Sequence, residues 1–183
     1  NLFSGINRPQ DVRVPPYLID TPETRQDLAQ YYDEITRFDH YVGEVVQELA
    51  RQRVLDNTVI VVTSDNGRPF PHSKTQLYED GIKMPLLIRW PHAGLKPRQT
   101  DALASAIDVA PTILELAGVP KAATIQGVSL VPVLNDPRAR VRDYVFAERN
   151  WHNFMAHIRL VRAGNEVYLR NAWPELPLTG KRD

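Results

Sequence analysis

Apolar residues recur every three or four positions through Leu28, Tyr31, Tyr32, Ile35, Phe38, Val42, Val45, Val46 and Leu49, with charged residues between them. That spacing draws one apolar stripe and predicts a long amphipathic helix over 22–53. Thr21 as N-cap, Pro22 at the first helical position and Glu23 at the positive end of the dipole mark its start. Residues 54–57 read as the turn out of it. The pattern then changes: Thr58-Val59-Ile60-Val61-Val62-Thr63 is short, continuously apolar and β-branched. Such a run predicts a strand buried on both faces, as in a parallel or mixed sheet covered by helices. Residues 68–85 show no periodicity and read as a long polar loop. Beyond it the pattern predicts a strand at 86–90, a turn at 91–98 and a helix at 107–116. Pro111 falls in the first turn of that helix, and Gly118 and Pro120 close it. Short strands are predicted at 144–147, 156–162 and 166–170, a more antiparallel portion. The fold class is therefore α/β, a mixed sheet flanked by helices.

Composition narrows the picture only slightly. At 183 residues, with 43% apolar and 24% charged residues, the chain suits one globular domain with a real core. Lys plus Arg equals Asp plus Glu at 22 each, so no global field favours nucleic acid or an anionic membrane surface. There is no cysteine, which excludes disulfides, thiolate metal sites and a cysteine nucleophile within the chain. No apolar run approaches the roughly 18 residues of a membrane span. The opening NLFSGINRPQ lacks a basic-then-apolar signal pattern and reads as the middle of a protein.

The candidate chemistry sits at the end of the first predicted strand, in Ser64-Asp65-Asn66-Gly67. In open α/β sheets, ligands gather beyond the carboxyl ends of strands. A carboxylate beside a carboxamide offers two hard oxygens, suited to Ca²⁺ or Mg²⁺ rather than zinc. Taken alone, Asn66-Gly67 reads first as a tight turn. Lys74, eight residues on, is a point charge able to meet a sulfate or phosphate oxygen; alone, it reads as a solvated lysine. His72 in the same loop is a candidate proton donor or substrate contact, with polar surface as the bland alternative.

Together these segments carry a resemblance. TVIVVTSDNG, then KTQLYEDGIKMP and LLIRWP, resemble the sulfatase family of the alkaline-phosphatase superfamily. So do the preceding helix (YYDEITRFDHYVGEVVQELARQRVLDNT), SAIDVAPTILELAGV and QGVSLVPVL, so that the likeness covers roughly 15–135. It implies that Asp65 and Asn66 bind calcium and that Lys74 contacts the substrate sulfate. Tyr78-Glu79-Asp80-Gly81 stands for the family's YEGG, with Asp80 in place of the usual glycine. The PFP after DNG and the run VPPYLIDTPETRQDL most resemble heparan N-sulfatases, the N-sulfoglucosamine sulfohydrolases. Some of these carry arginine at the position of Lys74. In ERNWH, His152 lies where related enzymes bring a C-terminal segment toward the pocket, which makes it a further substrate-binding candidate.

The resemblance implies an alkaline-phosphatase-like fold, with residues 1–135 as the C-terminal part of the catalytic domain and 136–183 opening a β-rich portion. It implies a sulfated saccharide substrate, a Ca²⁺ cofactor and a formylglycine nucleophile made from a C/S-x-P-x-R motif. Neither that motif nor the paired aspartates that complete the calcium site occur in this sequence. The nucleophile is accordingly expected upstream, in an N-terminal half of the enzyme that this chain lacks, and the chain alone is expected to be inactive. The family is compatible with a periplasmic or secreted parent, although nothing in these residues decides localisation. Two alternatives stay open. One is another arylsulfatase-type enzyme or a phosphonate or phosphate monoester hydrolase, against which Asn66 weighs, since those relatives usually place histidine there. The other is a non-catalytic anion- or carbohydrate-binding module.

Overall fold

A computed structural model describes residues 3–94, 96–152 and 154–176. The predicted turn at 91–98 and the C-terminal region therefore each include positions outside the described residues. The chain divides into two compact units, 1–62 with 87–92, and 63–86 with 93–183.

The first unit is organised on α1 (Pro22–Arg51). The Thr21 hydroxyl accepts the Thr24 amide at 3.2 Å, as an N-cap should. The predicted end at residue 53 is two residues late. Arg53 turns left-handed (φ +59°), and its amide and that of Val54 return to the carbonyls of Ala50 and Leu49. These bonds satisfy the last helical carbonyls without the glycine that would have signalled the stop. Leu28 and Ala29 of α1 are fully buried, whereas Ile35, Phe38 and Val45 along the same stripe stay about half exposed.

Asp33, also on α1 and buried, anchors the segment before the helix. Its carboxylate accepts the Asn7 amide at 2.8 Å, the Asn7 side chain at 2.9 Å and the Gly5 amide at 2.6 Å. These bonds, the Asn7 amide first among them, hold the Asp33 carboxyl below its ordinary value against the opposing effect of burial. A depressed folded-state pKa means that the stabilisation is complete above the ordinary carboxylate pKa and is lost as pH falls through the lower folded value. Asp33→Asn is expected to lower the melting temperature at neutral pH and to flatten its fall on acidification below about pH 4. Melting curves across pH 2–7 check this; parallel curves for both proteins would refute it.

β1 (Ile60–Thr63) and β2 (Leu86–Arg89) pair as a two-stranded sheet. Both strands fall where expected, but the burial expectation fails. β1 is only half-buried and Leu87 of β2 is 60% exposed, because a two-stranded ladder gives each strand one paired edge and leaves its faces open. The expected strand start at 58 is also too early, since 55–57 form a 3-10 turn that Thr58 closes through Leu55.

In the second unit, the 68–85 stretch is not wholly a loop, since Glu79–Ile82 makes one helical turn, α2. The helix predicted at 107–116 enters through a 3-10 turn at Ala106–Asp108 and continues as α3 (Val109–Leu116). A short helix not anticipated from periodicity, α4, spans Val131–Asn135. Asp108, with no exposed surface, ties these parts together. It accepts the amides of Ser105 and Val128 at 2.8 and 2.9 Å and pairs with Arg142. Thr112 repeats the link by accepting the Leu130 amide at 2.8 Å. The SAIDVAPT and QGVSLVPVL segments are thus two halves of one hydrogen-bonded junction. Beyond it, β3 (Val145–Trp151), β4 (Met155–Ala163) and β5 (Glu166–Asn171) form an antiparallel sheet in that order, the expected antiparallel portion with longer strands. Ala156, Ile158 and Leu160 of β4 alternate inward and are each about 3% exposed.

Candidate active site

Asp65 and Asn66 leave β1 two and three residues after its last residue. Asp65 is exposed and Asn66 half-buried. The Ser64 hydroxyl donates to the Asn66 carbonyl at 2.9 Å, and Asn66 Nδ2 donates to the Gly67 carbonyl at 2.8 Å. With its nitrogen so engaged, the carboxamide presents its oxygen as the open pole. Among the described residues no hydrogen bond or ion pair occupies the Asp65 carboxylate. One carboxylate and one carboxamide oxygen form a hard donor pair that fits calcium, although calcium takes about six to eight oxygens. No group of three or more His, Cys, Asp or Glu side chains able to hold a metal occurs among the described residues. A calcium held here would need further ligands from other residues or from water.

Gly67 brings this pair against the loop that carries Lys74. A Cβ at Gly67 would lie 2.4 Å from the Asp80 carbonyl oxygen, 2.6 Å from Ser73 Oγ and 2.9 Å from Gly81 Cα. A Cβ at Gly81 would lie 2.1 and 2.4 Å from the carbonyl oxygens of Gln76 and Ser73. Only glycine permits these approaches, so the residue after Asn66 lies against the Ser73 hydroxyl and the Asp80–Gly81 backbone. Ser73 is fully buried and donates to the Asp80 carbonyl at 2.7 Å, while the Lys74 amide donates to the Arg68 carbonyl at 3.0 Å. Arg68 in turn pairs with Asp80 at 3.0 Å, so the aspartate that departs from the family's glycine has a cation of its own to meet.

Lys74 projects from this clamped backbone. Its side chain is exposed and makes no hydrogen bond or ion pair among the described residues. His72 and Thr75, on either side, both take positive φ, +61° and +69°. For a β-branched threonine that conformation is a true outlier, costing about 1–3 kcal/mol, and such strain collects at functional sites. The exposed His72 ring lies against Tyr78 in a tilted contact, centroids 5.1 Å apart. His152 is exposed in the turn between β3 and β4, its amide donating to the Phe154 carbonyl at 3.4 Å. Asp65, Asn66, His72 and Lys74 thus belong to one clamped segment, whereas His152 comes from the antiparallel sheet.

Sequence reading missed Arg149. It lies on β3, 6% exposed, and its Nη1 donates to the Thr75 carbonyl at 3.0 Å and to Gln76 Oε1 at 2.6 Å. Burial pulls its guanidinium below the ordinary value, but it stays a cation. A signal was present. Val145, Ala147 and Arg149 alternate on one face of β3, and an arginine that continues an apolar face has to find an acceptor inside.

A Sulfatase family model matches residues 7–119. Human N-sulphoglucosamine sulphohydrolase is 40% identical over 136 residues, 69% of this chain and 27% of that enzyme. Among solved structures, BT4656 in complex with its substrate D-glucosamine-2-N,6-O-disulfate superposes with a TM-score of 0.66 at 28% identity, covering 85% of this chain and 36% of that one. The phosphonate monoester hydrolase from Silicibacter pomeroyi gives 0.64 at 29% identity, covering 87% and 38%. The chain thus spans about a quarter of the length of the human enzyme and just over a third of each solved chain. No helix among the described residues is long and apolar enough to cross a membrane. With its α/β architecture and a family match over more than half its residues, the chain belongs to the sulfatase family.

Proposed function

We propose that the chain supplies the metal- and sulfate-binding half of a sulfatase active site, in an enzyme that hydrolyses sulfate from N-sulfated glucosamine. The observation that supports this reading is the Gly67 contact, which holds the chain directly after Asp65 and Asn66 against the segment that bears Lys74. Similarity to an N-sulphoglucosamine sulphohydrolase and to a glucosamine-disulfate complex supports the choice of sugar.

Asp65 and Asn66 are the residues that would hold calcium. Bound there, the ion would supply charge neutralisation to a sulfate group, and a formylglycine, expected outside these residues, would supply the nucleophile. Lys74 binds a sulfate oxygen and stabilises the charge that grows there as the amine leaves. His72, braced by Tyr78, and His152 face the sugar and its leaving group. The nucleophile lies outside these residues, so the segment by itself is expected to show no turnover.

The likeness to a phosphonate monoester hydrolase favours a second reading, a phosphonate or phosphate monoesterase. Asn66 speaks against it, because a carboxamide makes the metal site oxygen-only. Assays of the protein that carries this chain on N-sulfated glucosamine, O-sulfated sugars, and phosphate and phosphonate esters separate the two. N-sulfated glucosamine is expected to be the preferred substrate by at least about tenfold in kcat/KM, the scale of a single lost polar contact. Turnover confined to phosphorus esters would overturn the sulfatase assignment of this protein.

A further inference from the structure

We infer that Arg149 is a positioning residue for Lys74, the means by which the antiparallel sheet sets the sulfate-binding loop. The inference rests on the assignment of Lys74 to the sulfate. Among the described residues, Lys74 is held through its backbone alone. On one side Ser73 is fully buried and fixed to the Asp80 carbonyl. On the other side Thr75 is left-handed, a conformation that a β-branched residue keeps only where its surroundings enforce it. The enforcing contact is that of Arg149, whose Nη1 donates to the Thr75 carbonyl and to the Gln76 side chain, the two residues after Lys74.

Arg149 is well placed to hold that position. Its backbone pairs with Ile158, which is 3% exposed in the centre of the sheet. Its guanidinium lies over the Phe154 ring, 4.9 Å from the centroid, which favours a cation and fixes its plane. A second tie runs parallel to it, from Arg162 on β4 to Glu79 at the start of α2. The sheet therefore grips the loop at both ends of 75–79, and only the Arg149 grip is next to Lys74. Releasing it frees Thr75 to leave the left-handed region, which swings the Lys74 Cα. A displacement of about 1 Å in a charge-stabilising group is enough to cost on the order of 10²-fold in rate.

The test is a double-mutant cycle in the protein that carries this chain, assayed on N-sulfated glucosamine, with melting temperature recorded for every variant. Arg149→Met is expected to lower kcat/KM about 10²-fold when Lys74 is present and less than about threefold in the Lys74→Ala background. Arg149→Lys, which keeps a cation over Phe154 and a donor toward Thr75, is expected to recover most of the loss. An Arg149→Met loss of the same size in both backgrounds overturns the inference, because the residue then acts through general structure. So does wild-type activity of Arg149→Met. If Arg149→Met does not fold, Gln76→Leu removes one of the two bonds and is read in the same cycle: a Lys74-dependent loss supports the inference and an independent one overturns it. Full activity of Lys74→Ala alone sinks the sulfate-site assignment as well, which separates the two failures.

Discussion

Asp65→Ala, made in the protein that carries this chain, is expected to lower turnover by about 10³-fold or more and to abolish its calcium dependence. A bound metal contributes several kcal/mol of charge stabilisation to such a transfer, and each 1.4 kcal/mol is about tenfold in rate. In the proposed pair Asp65 brings the formal charge, so its loss would leave Asn66 with a neutral oxygen that binds an ion weakly. The fold should survive. The carboxylate is exposed and engaged by no donor among the described residues, so the change in stability should stay within about 0.5 kcal/mol. Calcium titration calorimetry and steady-state kinetics, with a melting curve as control, make the comparison. Unchanged calcium affinity with full turnover would remove Asp65 from the metal site. Asp65→Asn should fall between, keeping an oxygen but losing the charge.

Asp65 stands out in the sequence as a candidate because of where it falls. A β-branched run ending in Ser-Asp-Asn-Gly announces a strand end, and strand ends are where α/β sheets present ligands. The same logic made α1 legible, because its start is written in Thr21 and Pro22. Its end was not, because Arg53 takes the left-handed position that glycine usually marks. The burial of β1 was misread for a different reason. A continuous apolar run shows that a strand can be covered on both faces, but not how many neighbours this stretch of chain provides. α4 was missed because five residues carry too little periodicity to register.

The site shows the same division between composition and assembly. Asp65, Asn66, His72 and Lys74 are adjacent in sequence, so a motif can name them. What joins them is steric and belongs to residues with little or no side chain: Gly67 against Ser73 and Asp80, and Gly81 against Gln76. Contacts between distant segments were invisible for the same reason. Neither Arg149 with Thr75, 74 residues apart, nor Asp108 with Arg142, 34 apart, leaves a local trace in the pattern. Only polar residues on apolar faces hint at them. Asp33 on α1, Asp108 before α3 and Arg149 on β3 are all buried, and each is the anchor of a separate loop.

Lys74→Ala is expected to lower kcat by about 10²–10³-fold, the range found when one preorganised donor to a developing oxyanion is removed. KM should rise less than kcat falls. In the proposed role Lys74 would meet the sulfate in both states but stabilise it more strongly as charge develops during transfer, so most of the interaction would belong to the transition state. Stability should hardly change, because the loop is fixed by Gly67, Ser73, Gly81 and Arg149 while the Lys74 side chain is exposed. Lys74→Arg is the informative partner. Arginine offers a bidentate fork to sulfate but a longer, planar reach, and a backbone set for lysine does not place the fork at the same point. Partial activity, about tenfold below wild type, is therefore expected, with calcium affinity unchanged. Kinetics of the two variants on N-sulfated glucosamine, alongside inhibition by inorganic sulfate, decide the matter. If Lys74→Ala weakened sulfate inhibition and raised KM but left kcat unchanged, Lys74 would be a ground-state anchor only, and charge stabilisation would have to come from another group.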